Sequence, residues 1–247
     1  MDDKKKLEQI HKVYFEKNVR GVNERYHYCL RELLIPRKKG RSALEVGCGA
    51  GDWTRVLADL YQRVDVVDAS ASLLKGVLRQ CKNPGKITIH DCMIEDFSPE
   101  GLGRWQHIYI TFLLEHVKNP VAILRKLAGL LEENGSIFIA VPNAESLHRV
   151  LAYRMGLIKS ITELSENDKK VGHRRVYTLG SLKKQITMAG LKIKKEIPVG
   201  LKVVNLSKME KWDSGLIDAL CLSGDLAPRH CAYIGIVASL KTRKSAR

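Results

Sequence analysis

Short apolar runs alternate with stretches of helical spacing through most of the chain. Residues 43–46 form the first apolar run, three alternating glycines follow it, and residues 52–60 place Val56, Leu57 and Leu60 at helical spacing. Strands separated by helical segments of this length indicate right-handed crossovers and a parallel sheet. The pattern therefore predicts an α/β fold whose ligand site lies beyond the carboxyl ends of the strands.

Seven strands and several helices follow from this reading. The strands are predicted at residues 43–46, 63–67, 86–90, 105–111, 136–141, 191–197 and 230–240. Helices are predicted at 52–60, 70–81, 120–131, 178–189 and 209–222, and residues 7–34 predict two helices broken near Gly21. We expect one domain over 1–247, with an N-terminal helical cover at 1–40, a cofactor-binding core at 41–143, a helical insertion at 144–175 and the C-terminal part of the sheet at 176–247.

The glycine loop indicates a nucleoside ligand, because glycines let the main chain approach a ligand closely. A dinucleotide fingerprint starting at Gly47 needs a third glycine at position 52, where the chain has Asp52, and no Gly-Lys-Ser/Thr follows the loop. Asp68 ends the second strand, where a carboxylate is placed to accept the hydroxyls of a ribose. Acidic residues without a phosphate clamp favour a positively charged nucleoside, and the sulfonium S-adenosylmethionine fits that description.

The chain resembles the class I S-adenosylmethionine-dependent methyltransferases over residues 41–191. The likeness is carried by the loop 45–51, Asp68, and the segments 90–93, 108–117 and 135–143. The run 114–117, Leu-Glu-His-Val, and the later Gly172-His173 resemble the small-molecule branch that includes ubiquinone-biosynthesis O-methyltransferases. Gln106 and His107 stand where the family usually has an acid, which removes one family marker.

The resemblance implies a Rossmann-like fold, a seven-stranded, mostly parallel, doubly wound sheet with a helical cover, that binds S-adenosylmethionine. Segment by segment, it implies cofactor contacts from the glycine loop, the end of the second strand, the segment after the third strand and the end of the fourth. These residues are Glu45, Gly47, Gly49, Gly51, Asp68, Ala69, Asp91, Cys92, Met93 and Thr111.

Methyl transfer from a sulfonium depends mainly on alignment, and a base is needed only when the acceptor arrives protonated. His116 and His173 are the candidate bases for a hydroxyl acceptor. The alternatives are a loop-packing pair for Glu115 and His116, and an exposed loop residue for His173. The sequence shows no cluster of carboxylates that would indicate a metal site.

Three further residues are candidates for acceptor binding. Arg174 and Arg175 follow His173 and could bind a carboxylate or phosphate bidentately. Asn143 could orient a substrate, or it could simply terminate the fifth strand.

The formal net charge of +15 and the pI near 9.6 change the picture of possible partners. Eleven Lys or Arg against four acids give residues 151–200 a net charge of +7. This excess indicates either a solvated surface or an anionic acceptor, such as a nucleotide-sugar, a phospholipid-like intermediate or RNA. Aromatic residues are not interleaved with the charges, which disfavours RNA.

Cysteine spacing and hydropathy indicate the cellular compartment. The six cysteines form no Cys-x-x-Cys pair, so neither a zinc site nor a disulfide framework is indicated. The sequence starts with a charged segment rather than a secretory signal and has no run long enough to span a bilayer. We therefore expect a cytoplasmic protein; the oligomeric state stays open.

The sequence thus predicts methyl transfer to a small-molecule hydroxyl. The alternatives are N-methylation of a small-molecule or nucleotide-sugar amine, RNA methylation, and a catalytically inert cofactor-binding or assembly module. A dehydrogenase is disfavoured by Asp52.

Overall fold

The computed structural model describes residues 21–241, and seven strands within them form a sheet of order β3-β2-β1-β4-β5-β7-β6. The strands are β1 Gly40–Val46, β2 Tyr61–Asp68, β3 Ile87–Asp91, β4 Trp105–Thr111, β5 Leu131–Pro142, β6 Leu191–Leu201 and β7 Cys231–Leu240. The helices are α1 Val22–Leu34, α2 Asp52–Leu60, α3 Ala71–Gln80, α4 Pro120–Gly129, α5 Leu147–Arg154, α6 Glu166–Lys170, α7 Leu179–Met188, α8 Leu206–Met209 and α9 Ser214–Leu222. Short 3₁₀ turns lie at Pro84–Lys86, Ser223–Leu226 and Pro228–His230.

All neighbouring strands are parallel except β7, which runs antiparallel to both β5 and β6. This arrangement confirms the predicted seven-stranded, mostly parallel α/β sheet. The strand order reverses between β1 and β4, and a ligand crevice forms at such a switch point beyond the carboxyl ends. The glycine loop after β1 and the segment after β4 therefore lie side by side.

Apolar side chains fill both faces of the sheet. One cluster includes Trp105, Leu124 and Ile186, which join β4, α4 and α7. The other includes Tyr26 and Leu57, which place α1 and α2 against the opposite face. Strands β1, β2, β4 and β7 are mostly buried on both sides, which explains why they read as apolar runs rather than as alternating ones, whereas β3 and β6 at the sheet edges are more exposed.

Several element bounds differ from the predicted ones. Helix α4 ends at Gly129 and β5 begins at Leu131, five residues before the predicted strand. A Cβ atom on Gly135 would lie 2.7 Å from the carbonyl oxygen of Gln106, so glycine permits the close strand approach that we interpreted as a helix end. The predicted helix 209–222 starts later, at Ser214, because the Asp213 carboxylate accepts a hydrogen bond from the Leu216 amide at 2.9 Å and caps α9 there; Met209 is the last residue of α8.

The insertion after β5 contains α5 and α6, as the loss of alternation predicts. Ser165 and Asp168 form a capping box at the start of α6, which fixes the Asp168 side chain. The first predicted helix, before Gly21, lies outside the described residues. Within residues 21–241, the helices are all too short or too polar to cross a membrane.

Candidate functional site

The glycine loop after β1 adopts backbone angles that side chains disfavour. The φ angles of Gly47, Gly49 and Gly51 are 82°, 50° and 82°, all in the left-handed region. A Cβ atom on Gly49 would meet nothing within 4 Å, whereas one on Gly51 would lie 2.7 Å from Val77. The loop therefore turns tightly against α3 and leaves bare main chain beside open space at Gly49.

Asp68 ties the end of β2 to this loop. One carboxylate oxygen accepts a hydrogen bond from the Cys48 amide at 2.9 Å, and the other accepts from the Ser70 amide at 2.9 Å. Asp68 and its neighbour Ala69 are both buried. The predicted ribose contact of Asp68 stays a prediction, and the structure adds that this residue also shapes the loop.

Glu45 is buried beneath the loop with half of its carboxylate unpaired. Its Oε2 accepts a hydrogen bond from the Thr54 hydroxyl at 2.6 Å, while Oε1 has no partner among the described residues. Burial, with Asp68 and Asp52 nearby, raises the pKa of Glu45 to about 8. A buried carboxylate oxygen without a partner is costly, and a cationic ligand beside the loop would relieve that cost. The loop and Glu45 thus fit a positively charged nucleoside.

The other predicted cofactor residues lie at the same edge of the sheet. Asp91 ends β3 in register with Asp68 and is exposed. Cys92 and Met93 follow in a turn, in which the Met93 carbonyl accepts from the amides of Asp96 and Phe97 at 3.0 and 3.1 Å. Thr111 ends β4 beside β5. The structure therefore brings all ten predicted residues to the carboxyl ends of β1 to β4.

Phe112, which the sequence analysis missed, lies just past β4 with a φ of 53°, unusual for a bulky residue. Its ring stacks on His27 of α1, with centroids 4.7 Å apart, and contacts the edge of Tyr233 at 5.0 Å. Strained backbone of this kind concentrates at functional sites, where the surrounding packing maintains it. Nothing in the residue type predicts this angle, so sequence could not have identified it.

Helix α1 also carries a positively charged side chain, Arg31, next to His27 on the same helix face. Nη1 of Arg31 is buried and has no hydrogen-bond partner among the described residues. Burial and the neighbouring Arg31 lower the pKa of His27 to about 4. The sequence signal for His27 and Arg31 was their i,i+4 spacing, which places both on one face of the helix. That spacing does not distinguish them from other charged residues on a helix surface.

His116 and His173, predicted as candidate bases, are brought together from distant parts of the chain. Their ring centroids lie 4.7 Å apart at an interplanar angle of 77°. The Arg174 amide donates to the Glu115 carbonyl at 2.8 Å and joins the two segments. His173 Nδ1 lies 2.9 Å from Oδ1 of Asp168, so the capping residue of α6 also orients this imidazole. Hydrogen bonds from His173 and Ser165 outweigh burial and lower the pKa of Asp168.

Glu115 completes this group, although the sequence analysis gave it only as a partner of His116. It is buried, its Oε2 has no hydrogen-bond partner in residues 21–241, and burial raises its pKa to about 7. Ligand atoms of Glu115, His116 and His173 all lie within 4.8 Å of one another. The trio can therefore accept a proton, and it has the donor set to hold a metal ion, which a search for several carboxylates in the sequence did not anticipate.

The three predicted acceptor-binding residues have backbone partners instead. Arg175 Nη1 donates to the carbonyls of Leu114 and Val117 at 2.7 and 2.6 Å, and Arg174 Nε donates to the His116 carbonyl at 2.9 Å. Asn143 is buried, and its Nδ2 donates to the carbonyls of Arg229 and Cys231. These contacts indicate that all three residues hold loops in place, and their contact with an acceptor stays a prediction.

The comparisons with known proteins agree with this geometry. A family model described as a methyltransferase domain matches residues 17–196. A ubiquinone biosynthesis O-methyltransferase of Xanthomonas campestris is 29% identical over 120 residues, which cover 48% of this chain and 49% of that protein. The chain thus spans about half the length of the curated relatives it matches.

Two solved structures show the same fold at low identity. An S-adenosylmethionine dependent methyltransferase from Mesorhizobium loti has a TM-score of 0.63 and 14% identity, covering 88% of this chain and 99% of that one. The N-methyltransferase NodS from Bradyrhizobium japonicum, in complex with S-adenosyl-L-homocysteine, has a TM-score of 0.53 and 16% identity, covering 87% and 84%. The chain therefore belongs to the methyltransferase-domain family and has the fold of the class I S-adenosylmethionine-dependent methyltransferases.

Proposed function

We propose that this methyltransferase transfers the methyl group of S-adenosylmethionine to a hydroxyl oxygen of a small-molecule acceptor. The observation that carries the proposal is the group formed by Glu115, His116 and His173, with His173 held by Asp168 at 2.9 Å. The group lies just past β4, next to the strand order reversal where the glycine loop leaves β1.

On the cofactor side, the chain's own residues provide a cradle and a buried carboxyl group that a cationic ligand would favour in its ionised form. The bare main chain at Gly49 faces open space, and Glu45 has an unpaired oxygen beneath the loop. Bound S-adenosylmethionine would supply a methyl group already activated by its sulfonium. The protein's task is then to hold the acceptor oxygen in line with that methyl group.

On the acceptor side, a hydroxyl must lose its proton as it attacks. Because Nδ1 of His173 contacts Asp168, the Nε2 atom is the ring nitrogen left to accept that proton. Glu115, with a pKa of about 7, and His116 lie beside it and stabilise the imidazolium that forms. An amine that arrives neutral needs no base, so this constellation supports oxygen over nitrogen as the acceptor.

The curated relatives point to the same chemistry. Those at 29% to 30% identity are named O-methyltransferases, although the match covers about half of each protein. That resemblance supports the O-methyl assignment and leaves the acceptor's identity to experiment.

The test is a product analysis with methyl-labelled S-adenosylmethionine and a small-molecule cell extract, followed by mass spectrometry of the labelled products. The proposal expects labelled methyl ethers. Labelled amines would replace it with N-methylation, label in the RNA fraction of a parallel reaction would replace it with RNA methylation, and tight cofactor binding without product would indicate an inert module.

Cofactor binding is tested separately by calorimetry. Asp68→Ala should weaken S-adenosylmethionine binding by about 10- to 100-fold, since a hydrogen bond to a charged group contributes about 1.5–3 kcal/mol. Asp225→Ala, at an exposed carboxylate in a 3₁₀ turn, is the matched control and should leave binding unchanged. Equal binding by both variants would contradict the assigned ribose contact.

A further inference from the structure

A lysine that the proposed function does not use lies at the acceptor side, just past β6. Lys202 follows Leu201, the last residue of β6, which pairs with Cys231 at the start of β7. Strand β5 ends at Pro142, which pairs with Tyr233 two residues further along β7. Lys202 therefore lies at the edge of the sheet where β5 ends and the insertion begins.

The insertion connects Lys202 to the proposed base. The Lys202 carbonyl accepts a hydrogen bond from the His148 amide at 2.8 Å, which holds the start of α5. On the same helix, Nη1 of Arg149 lies 3.5 Å from Oδ2 of Asp168. The other oxygen of Asp168 lies 2.9 Å from Nδ1 of His173, so one carboxylate stands between the histidine and these basic residues.

The ammonium group of Lys202 is surrounded by protein and has no partner. Burial and the neighbouring Arg149 lower the pKa of this ammonium to about 8, whereas Asp168 acts in the opposite direction. Within residues 21–241, its Nζ makes neither a hydrogen bond nor an ion pair. A cation removed from water without a partner is costly, and an anion bound beside it would relieve that cost.

The charged groups around Lys202 have other partners. Asp168 accepts hydrogen bonds from the amide and the hydroxyl of Ser165, at 2.8 and 2.7 Å, in addition to its contact with the histidine. Nε and Nη2 of Arg149 donate to backbone carbonyls of the insertion. Burial, Lys202 and Arg149 lower the pKa of His148 to about 3, so this imidazole is neutral. The cluster thus has two cations and one carboxylate, and Lys202 is the cation left for a ligand.

We propose that Lys202 binds a carboxylate of the methyl acceptor, so that the acceptor is a small molecule carrying both a hydroxyl and a carboxylate. Lysine acts as a compact point charge, and its single charge beside Asp168 suits a singly charged carboxylate better than a doubly charged phosphate. The inference deepens the proposed function and rests on its placement of the acceptor hydroxyl beside His173. Lys202 then determines which hydroxyl compounds the protein accepts.

A binding test uses benzoate as the probe and nuclear magnetic resonance as the readout. In the full chain with carbon-13 at the lysine Cε atoms, the Lys202 signal is assigned by its loss from Lys202→Met. This signal should shift saturably on adding benzoate, because the carboxylate pairs with the ammonium, and benzamide, which has a similar shape and no charge, should leave it in place. The signal of Lys192, exposed near the other end of β6, is the internal control and should not shift.

Kinetics with the acceptor from the product analysis tests the role of Lys202 in turnover. Lys202→Met should raise KM for the acceptor by about 10- to 100-fold and change kcat much less, because the lost contact binds a group that does not react. Lys202→Arg should retain most of the affinity, and Lys192→Met should behave like the parent. The melting temperature of Lys202→Met should not fall, because an apolar side chain of similar length replaces an unpaired cation.

Three results would overturn the proposal. The first is the absence of a saturable response of Lys202 to benzoate, and the second is a stronger response to inorganic phosphate. The third is a labelled product without a carboxylate, formed equally well by the parent and by Lys202→Met. These outcomes are distinct from failure of the proposed function, since a carboxylate-bearing product methylated on nitrogen would overturn O-methylation and support the lysine site.

Discussion

Two Asp–His pairs in this protein have the same separation and different surroundings. Asp65 and His90 lie 2.9 Å apart between β2 and β3, and Asp168 and His173 lie 2.9 Å apart at the acceptor side. In the first pair, Asp65 also accepts from Trp105 Nε1 at 2.8 Å, and the His90 ring packs against the edge of Phe97. Every group there has a structural neighbour.

The second pair lies beside a buried carboxylate that has one unpaired oxygen among the described residues. The His173 ring contacts His116, and the nearby Glu115 is buried with one oxygen unpartnered among the described residues. A carboxylate and a histidine at hydrogen-bond distance therefore do not define an active site. The unsatisfied groups around the pair distinguish a site that can bind and react from one that stabilises the fold.

The largest expected difference between the pairs is in turnover. His173→Gln should lower the turnover number by about 10²- to 10⁴-fold, the usual contribution of a positioned acid or base. Its melting temperature should change less than that of a His90 variant, because Asp168 is less completely buried than Asp65 and keeps its hydrogen bonds from Ser165. Steady-state kinetics with the acceptor from the product analysis, together with thermal unfolding, measures both effects.

His90→Gln is the matched control and should show the reverse. It removes a partner of the buried Asp65, which should lower the melting temperature by several degrees for a loss of about 1–3 kcal/mol. Turnover below the melting temperature should stay close to that of the parent. Full activity of the His173→Gln variant would contradict the proposed role of His173 as the base.

A smaller effect is expected from Asp168→Asn. The amide preserves the shape but no longer stabilises a protonated His173, so turnover should fall by about 10- to 100-fold. Steady-state kinetics measures this fall, and thermal unfolding checks that the variant stays folded.

Stability should depend on pH through Glu45. Its pKa is about 8 in the folded protein and 4.5 as the ordinary value, so the folded state holds a proton that the unfolded state has lost between these two pH values. Its contribution to the free energy of unfolding is therefore largest below pH 4.5 and falls as the pH rises to about 8. Denaturant titrations of the cofactor-free protein from about pH 5.5 to 9 should show this decline, and Glu45→Gln should flatten it.

The same variant provides a second readout. Glu45→Gln should bind S-adenosylmethionine more weakly, because Glu45 can lose its proton when a cationic ligand binds beside it, whereas the amide stays neutral. Unchanged pH dependence together with unchanged cofactor binding would contradict the assignment of Glu45 to the cofactor site.

Sequence predicted the sheet well because its signals are local. Apolar runs, glycines and the acids at strand ends predicted the parallel sheet and placed the residues from Glu45 to Thr111 at the carboxyl ends of its strands, where the structure has them. The approach of His173 to His116 depends on the path of the insertion, which no periodicity encodes. The residue types of Arg174, Arg175 and Asn143 fit both acceptor binding and backbone capping; the structure shows their backbone contacts, and their acceptor contacts stay a prediction.

The smallest expected effect separates proton transfer from metal chemistry at the acceptor side. Glu115, His116 and His173 could share a metal ion, because their ligand atoms lie within 4.8 Å of one another. In residues 21–241, no third His, Cys, Asp or Glu completes such a group with Asp65 and His90. If the trio acts as a base, dialysis against EDTA should leave turnover unchanged, and added Zn²⁺ should inhibit because it occupies the nitrogen that accepts the proton. Loss of activity on chelation, with recovery on adding one divalent metal, would instead assign the trio as metal ligands. His173→Gln would then abolish metal binding as well as turnover, while His90→Gln would affect neither.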